Sequence, residues 1–476
     1  SDGALANVPL LKSEAWAFAE REFPTWTGKQ LDAAREMVAA EKSAEAINGH
    51  LVNAFVAFRR DNAALALLAS AVPGAAMAED EAKAPVDTMH YFAAEFGGDA
   101  FAELLREYMA ESGRDVYVNL VPHEAFKTVI LTTLAGGNPP DFYTDWAGAR
   151  VASRVNAGVV APIDDMWEAN DLDSAFPQGI IDSAATYGDG KYAMPLNYHV
   201  AAMWYNPSVM EAAGVAVPIE TWDDLKGACE TLKGAGVIPF ALGSTAPAWP
   251  AQFWFDYILL RTAGPEYRAQ LMAGEASYTD PEVINAMELW GELVGAGCFN
   301  EDANAKGYTD ASDMVANGDA AMTLMGTWIV GYWGDAFEPG VDYDMFPFPA
   351  IDLSIESAVV GPVDALSVSA GGDNPEGAKE VLAFFATPEV QAKWAAGQGA
   401  LPVNVNAETP DNPTLVKALE LAGAAETYNY NYDLAPPPAP SEVGLDMFQK
   451  FMHDSSDIPG LMEETQSGVE TAFENL

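Results

Sequence analysis

The chain has 476 residues, half of them apolar and 11% aromatic, so it is too long for one ordinary core and too apolar to stay unfolded. Lysine and arginine number 23 against 70 aspartates and glutamates, a formal charge of −47, and such a field repels nucleic acid and anionic lipid as partners. The acids are scattered and form no EF-hand loop, so they read as a solvated surface suited to seawater or brine.

In chain order, residues 1–58 carry helical stretches such as 30–38 and are read as an N-terminal extension outside the mature protein. Residues 59–78 look like a secretion signal. Arg59 and Arg60 precede an apolar run over 63–72, which ends in Ala76-Met77-Ala78 before acidic Glu79. The run is too short to span a bilayer. No cysteine follows it, so the expected location is periplasmic with no lipid anchor.

From Val86 strand and helix alternate: a strand over 86–92, an amphipathic helix over 100–111, a strand over 116–120 and a helix over 124–134. Asp141–Asp145 continues as strand and loop, and the alternation predicts an α/β lobe. A second, more helical set runs from Ser208 to about Met325. Later come a strand near 364–369, a helix over 374–385 and a helix-rich tail. The run Ala435–Pro440, with four prolines, predicts an extended connector. Cys229 and Cys298 are the two cysteines; a disulfide and two buried thiols both stay open.

The most informative stretch is Lys191–Pro207, a short apolar strand interrupted by polar and aromatic residues and ending in Tyr205-Asn206-Pro207. A helix follows, stopped by Gly214, and Thr221 caps a second one. Gly137–Asp141, Gly318–Trp328, Gly361–Val368 and the helix pair from Asn374 to Gln391 with Gly399–Pro402 follow in order. Over residues 86–476 this pattern resembles the bacterial extracellular solute-binding proteins, the sugar-binding components of ABC importers. Ala175–Asp182 and Pro195-x-Asn197-x-His199 resemble the glucose/mannose-binding branch. Thr144 and Trp146 stand where that branch has Gln and His, and Gln398 stands where it has Lys. These exchanges swap hydroxyl-binding groups, so the likeness implies the binding-protein class more firmly than glucose.

The resemblance implies an α/β, two-lobed periplasmic binding protein fold of type II. Three interlobe crossovers are expected near 196–205, 323–328 and 361–368, around a ligand cleft. The expected division gives 86–200 and 327–361 to lobe 1, and 201–326 and 362–476 to lobe 2. The implied partners are a carbohydrate ligand and the permease subunits of an inner-membrane ABC transporter. The chain is expected to be a monomer with no cofactor or metal and no catalytic residues.

A sugar offers flat C–H faces that suit aromatic rings, and hydroxyls that suit Asp, Glu, Asn, Gln and His. The residues of these types at the expected cleft loops are Tyr91, Phe92, Glu95, Thr144, Trp146, Asn197, His199, Trp249, Trp328, Asp364 and Gln398. Several have a plainer reading. Phe92 suits a core, as do Trp204, Trp254 and Trp290, and Trp222 suits packing at a helix start. Glu95 suits an acid facing backbone amides ahead of a helix. His199 on an apolar strand suits a satisfied core histidine, and only the likeness raises it. Asp364 is the strongest candidate, because a lone acid inside an apolar strand needs a partner.

Two other function classes compete. A glycosidase would pair carboxylates from Asp145, Glu95 and Asp364, but with 70 acids such pairs arise by chance. No HExxH, GxSxG or phosphate-binding loop is present. Sugar sensing for chemotaxis would use the same binding protein.

Overall fold

A computed structural model describes residues 83–476. The expected extension at 1–58 and the signal-like segment at 59–78 lie outside the described residues. Two main sheets organise the described chain.

The first is six-stranded, in the order Leu401–Pro402, Ala193–Tyr198, Val363–Val368, Phe142–Trp146, Val86–His90, Val116–Leu120. Val86–His90 pairs parallel with both Val116–Leu120 and Phe142–Trp146, while Val363–Val368 runs antiparallel to its two neighbours. The parallel strands are linked by helices Gly98–Ser112 and His123–Ala135. The first buries Phe101, Leu104, Leu105 and Tyr108, the stripe its 3.6-residue period dictates. The second sheet runs Asp344–Phe346, Ala201–Tyr205, Ala320–Gly326, Ile238–Phe240.

Local signals set the element ends. Asn206 accepts the Val209 N–H at 3.1 Å and starts helix Pro207–Ala213, which stops where Gly214 adopts φ 73°. Thr221 accepts the Asp224 N–H at 3.2 Å and starts Trp222–Gly234. Trp204, Trp254 and Trp290 are buried core residues, and Trp222 packs near Phe348.

Three segments carry the chain between the two halves. His199-Val200 joins strand Ala193–Tyr198 of the first sheet to Ala201–Tyr205 of the second. Strand Ala320–Gly326 runs through Thr327 into helix Trp328–Trp333, which packs on Ala94–Phe96 and Pro388–Gln398. Gly361-Pro362 leads from Ala358–Val360 into Val363–Val368. They meet at one point. The His199 N–H donates to the Pro362 carbonyl at 3.0 Å and the Thr327 N–H to the Val200 carbonyl at 3.1 Å. Backbones pass so closely that a Cβ on Gly361 would lie 1.9 Å from the His199 carbonyl oxygen.

The expected lobe division needs correction in its second half. Asp344–Phe346, expected in lobe 1, pairs with Ala201–Tyr205 in the second sheet. Val363–Val368, expected in lobe 2, lies inside the first sheet, and helices Pro375–Phe385 and Pro388–Gln398 pack on that side too. Apolar runs buried on both faces look alike in either sheet, so only strand pairing separates them. The 435–440 connector is also corrected, because helix Pro438–His453 begins inside it. Prolines suit a first helical turn, whose N–H groups have no intrahelical partner.

Cys229 and Cys298 form a disulfide across a sequence separation of 69, tying helix Trp222–Gly234 to the end of Pro281–Gly295. Closing a loop of that length is worth about 4 kcal/mol in a chain-entropy picture. The double variant Cys229→Ala/Cys298→Ala is expected to lose roughly 2–4 kcal/mol in urea unfolding. Gly361→Ala is expected to lose at least ~2 kcal/mol, because the neighbour it meets is backbone and cannot swing aside.

Candidate functional site

The three parallel strands of the first sheet direct their carboxyl ends to one place, the usual location of ligand sites in such sheets. Tyr91 follows Val86–His90, His123 follows Val116–Leu120, and Trp146 ends Phe142–Trp146. Across from them stand Trp249 and Gln252, which lie between strand Ile238–Phe240 and the body of helix Gln252–Thr262, and Trp328 beyond Ala320–Gly326. These residues line one cleft together with His199, Asp364 and Gln398.

Asp364 sits at the base. Strand register sets it opposite Trp146 on one side and Asn197 on the other. Its Oδ1 accepts the Tyr91 hydroxyl, and its Oδ2 accepts Asn197 Nδ2 at 2.9 Å. Trp394 Nε1, which can only donate, bonds Asn197 Oδ1 at 2.7 Å and so fixes the amide with its nitrogen toward Asp364. That nitrogen also lies 3.0 Å from His199 Nε2, which is 3.3 Å from Asp364 Oδ2, while His199 Nδ1 lies 2.7 Å from Thr327 Oγ1. The network ties the carboxylate to two of the three crossovers. Burial first, and then the Asp364 charge, push the Tyr91 hydroxyl pKa well above its ordinary value, so Tyr91 stays a proton donor. The carboxylate oxygens keep lone pairs free for a further donor.

Aromatic faces surround the acid. Tyr91 and Trp146 stack with ring centres 4.2 Å apart, and Phe96 stacks on His123 at 4.5 Å. From the other lobe come Trp249 and Phe253, and Trp328, 5.9 Å from Trp249, stands at the end of the second crossover. Four cleft-lining residues that are more than nine-tenths buried carry a polar atom with no hydrogen-bond partner among the described residues: Trp328 Nε1, Gln398 Oε1, Gln252 Nε2 and Asn431 Oδ1. Leaving a buried donor or acceptor unmatched costs about 1–3 kcal/mol, and these four, on the wall of one cleft, are open to a ligand's hydrogen bonds.

The mouth is bridged between lobes. Trp249 Nε1 donates to Glu124 Oε1 at 3.0 Å, and the Tyr308 hydroxyl donates to the Glu95 carbonyl at 3.2 Å. Burial opposes ionisation of Glu124. The His123 hydrogen bond and charge, then Lys127 and the Trp249 N–H, overcome it and hold the pKa near 2. About 50 Å3 of free space remains inside. Ligand clefts run to roughly 300–1,000 Å3, so a ligand enters only after the lobes part or side chains swing away.

Of the eleven residues expected from the sequence, seven line the cleft: Tyr91, Trp146, His199, Trp249, Trp328, Asp364 and Gln398. Four stand behind it. Asn197 orients Asp364. Thr144 accepts the Tyr91 N–H at 3.3 Å. Phe92 packs against Phe101 and Trp394. Glu95 meets Tyr308 through its carbonyl rather than its side chain. The three acids weighed as glycosidase candidates do not form a facing pair. Asp145 is fully buried against Arg154, and the Glu95 side chain is outside the lining.

Sequence reading missed Phe96, His123, Lys127, Gln252, Phe253, Pro362 and the run Asn431, Asp433, Leu434. His123 and Lys127 were within reach, because they open the helix after a parallel strand. Nothing local marks Asn431–Leu434, which arrives from the far end of the chain.

Two α/β lobes joined by three crossovers, with a cleft of aromatic faces and unmatched polar atoms between them, define a solute-binding protein. The description "Bacterial extracellular solute-binding protein" matches residues 93–392, and the chain belongs to this family, whose members are binding proteins of transporters rather than enzymes. It is 33% identical over 307 residues to an uncharacterized ABC transporter extracellular-binding protein of Pyrococcus horikoshii, covering 63% of this chain and 67% of that one. It is 27% identical to a probable sugar-binding periplasmic protein of Mesorhizobium japonicum, covering 77% and 89% of the two chains. Among solved structures, the bacterial solute receptor AcbH, whose reported preference is β-D-galactopyranose, superposes with a TM-score of 0.77. The two are 25% identical, with 82% of this chain and 99% of that one covered.

Two outcomes are expected. Asp364→Leu leaves the Tyr91 hydroxyl and Asn197 amide without their acceptor and lowers stability by about 2–4 kcal/mol in urea unfolding. Glu124 is a carboxylate whose folded pKa is depressed from 4.5 to about 2, so its contribution is full above pH 4.5 and is lost as pH falls toward 2. The melting-temperature gap between the parent and Glu124→Gln should therefore close as pH falls from about 4.5 toward 2.

Proposed function

We propose that the cleft binds a neutral sugar, a glucose-like monosaccharide or a small oligosaccharide, in the periplasm. The two lobes close on it, and the closed form delivers it to the permease subunits of an ABC importer. The observation that carries this reading is the pairing of stacked aromatic faces with four unmatched buried polar atoms in the cleft that holds Asp364. Rings cover the C–H faces of a sugar, and the unmatched donors and acceptors take its hydroxyls, so an analogue lacking a hydroxyl would leave them unpaired. The relatives named for sugars point the same way. Binding that favours the closed arrangement over the open one shifts the population toward it, and this coupling is what a receptor for a transporter requires.

A thermal-shift screen of the purified chain against monosaccharides, disaccharides, polyols and oligopeptides tests the proposal. A sugar present at 100 times its Kd stabilises the folded state by about 2.7 kcal/mol and raises the melting temperature by a few degrees. The expected result is such a rise with one sugar, recovered chemically unchanged. A rise with peptides or polyols alone would remove the sugar assignment.

A further inference from the structure

The return segment Asn431–Leu434 enters the cleft between the lobes, and it is clamped by contacts unrelated to the Asp364 network. The Asp433 N–H donates to Gln252 Oε1 at 2.8 Å, and Asp433 Oδ1 accepts Asn431 Nδ2. The other carboxylate oxygen faces Lys127 Nζ at 3.4 Å and Arg150 at 3.7 Å. These contacts settle which way both amides point. A backbone N–H only donates, so Gln252 meets it with its oxygen, and an ionised carboxylate only accepts, so Asn431 meets it with its nitrogen. Gln252 Nε2 and Asn431 Oδ1 are thereby left over, both without a partner and both in side chains at least nine-tenths buried and lining the cleft.

We infer that Gln252 and Asn431 form a second polar face of the site, one donor and one acceptor that read sugar hydroxyls away from Asp364, with Asp433 as their positioning residue. The inference rests on the sugar-binding reading above. Gln252 belongs to a helix of the second lobe, whereas Asp364 lies in the sheet of the first. A sugar touching both would bond to the two lobes at once, and a sugar lacking the hydroxyls on this face would hold them together less well. Specificity would then depend on Gln252 and Asn431 as well as on the acid.

The test is calorimetric titration with the sugar that most stabilises the parent chain and with its series of single-deoxy analogues. Gln252→Leu removes the donor together with the acceptor for the Asp433 N–H; Asn431→Ala removes the acceptor. Each is expected to weaken binding of the parent sugar about tenfold. Each should also show no added loss with the one deoxy sugar that lacks the hydroxyl it reads, a coupling that a merely structural role would not produce. Either variant suffices if the other fails to fold. Parent-like affinity in both variants, or equal losses across the whole deoxy series, would overturn this inference and leave the sugar reading intact. Absence of binding by the parent to every sugar would overturn both.

Discussion

Everything in this molecule depends on one crowded crossing, where His199, Thr327 and Pro362 bring three passages of the chain within hydrogen-bond reach. Backbone groups there cannot reach the ladders of either sheet, so they bond to one another across the passages. The Tyr428 hydroxyl adds bonds to the His199 and Pro362 carbonyls at 2.9 and 3.0 Å. Two lobes joined at such a point keep their own sheets and cores. The cleft lies beside the crossing, and His199 and Pro362 belong to its wall.

Elsewhere the acidic chain gives its deeply buried carboxylates dedicated partners. Asp145 meets Arg154, and Asp256 meets Arg268 at 2.6 Å while also accepting the Tyr432 N–H at 2.8 Å. Burial raises the Asp256 pKa to about 6, and Arg268 opposes that rise. An unpartnered charge in such places is costly, so these pairs specify one arrangement of the helices and strands around them. In the cleft, Trp328 Nε1, Gln398 Oε1, Gln252 Nε2 and Asn431 Oδ1 are buried without a partner among the described residues.

Much of the fold was legible in the sequence. The helix starts at Asn206 and Thr221 and the stop at Gly214 follow from residues within four positions of each other, so they needed no tertiary information. The apolar stripe of Gly98–Ser112 is equally local. The lobe assignment of residues 327–361 and 362–476 was misread because a short strand such as Asp344–Phe346 or a fully buried one such as Val363–Val368 carries no local mark of the sheet it joins. The run Pro436–Pro440 was misread because proline's meaning changes with position, being disruptive inside a helix and favourable in its first turn.

For the site, the sequence by itself determined the chemistry available. It set a lone acid at 364 in an apolar strand, tryptophans at loop ends, and the Pro-x-Asn-x-His segment that leads to the crossing. Only the tertiary structure decided which of these face the cleft. Phe92 turned inward to Phe101 and Trp394, and Asn197 moved behind Asp364 to hold it. Only tertiary structure delivered Gln252 and Asn431, which are 179 positions apart by their numbering (431 minus 252) and share the clamp at Asp433. The physical reason is range. Caps, turns and periodicity act over a few residues, whereas a binding surface depends on long-range strand pairing and on which polar atoms are left unmatched once every other bond has formed.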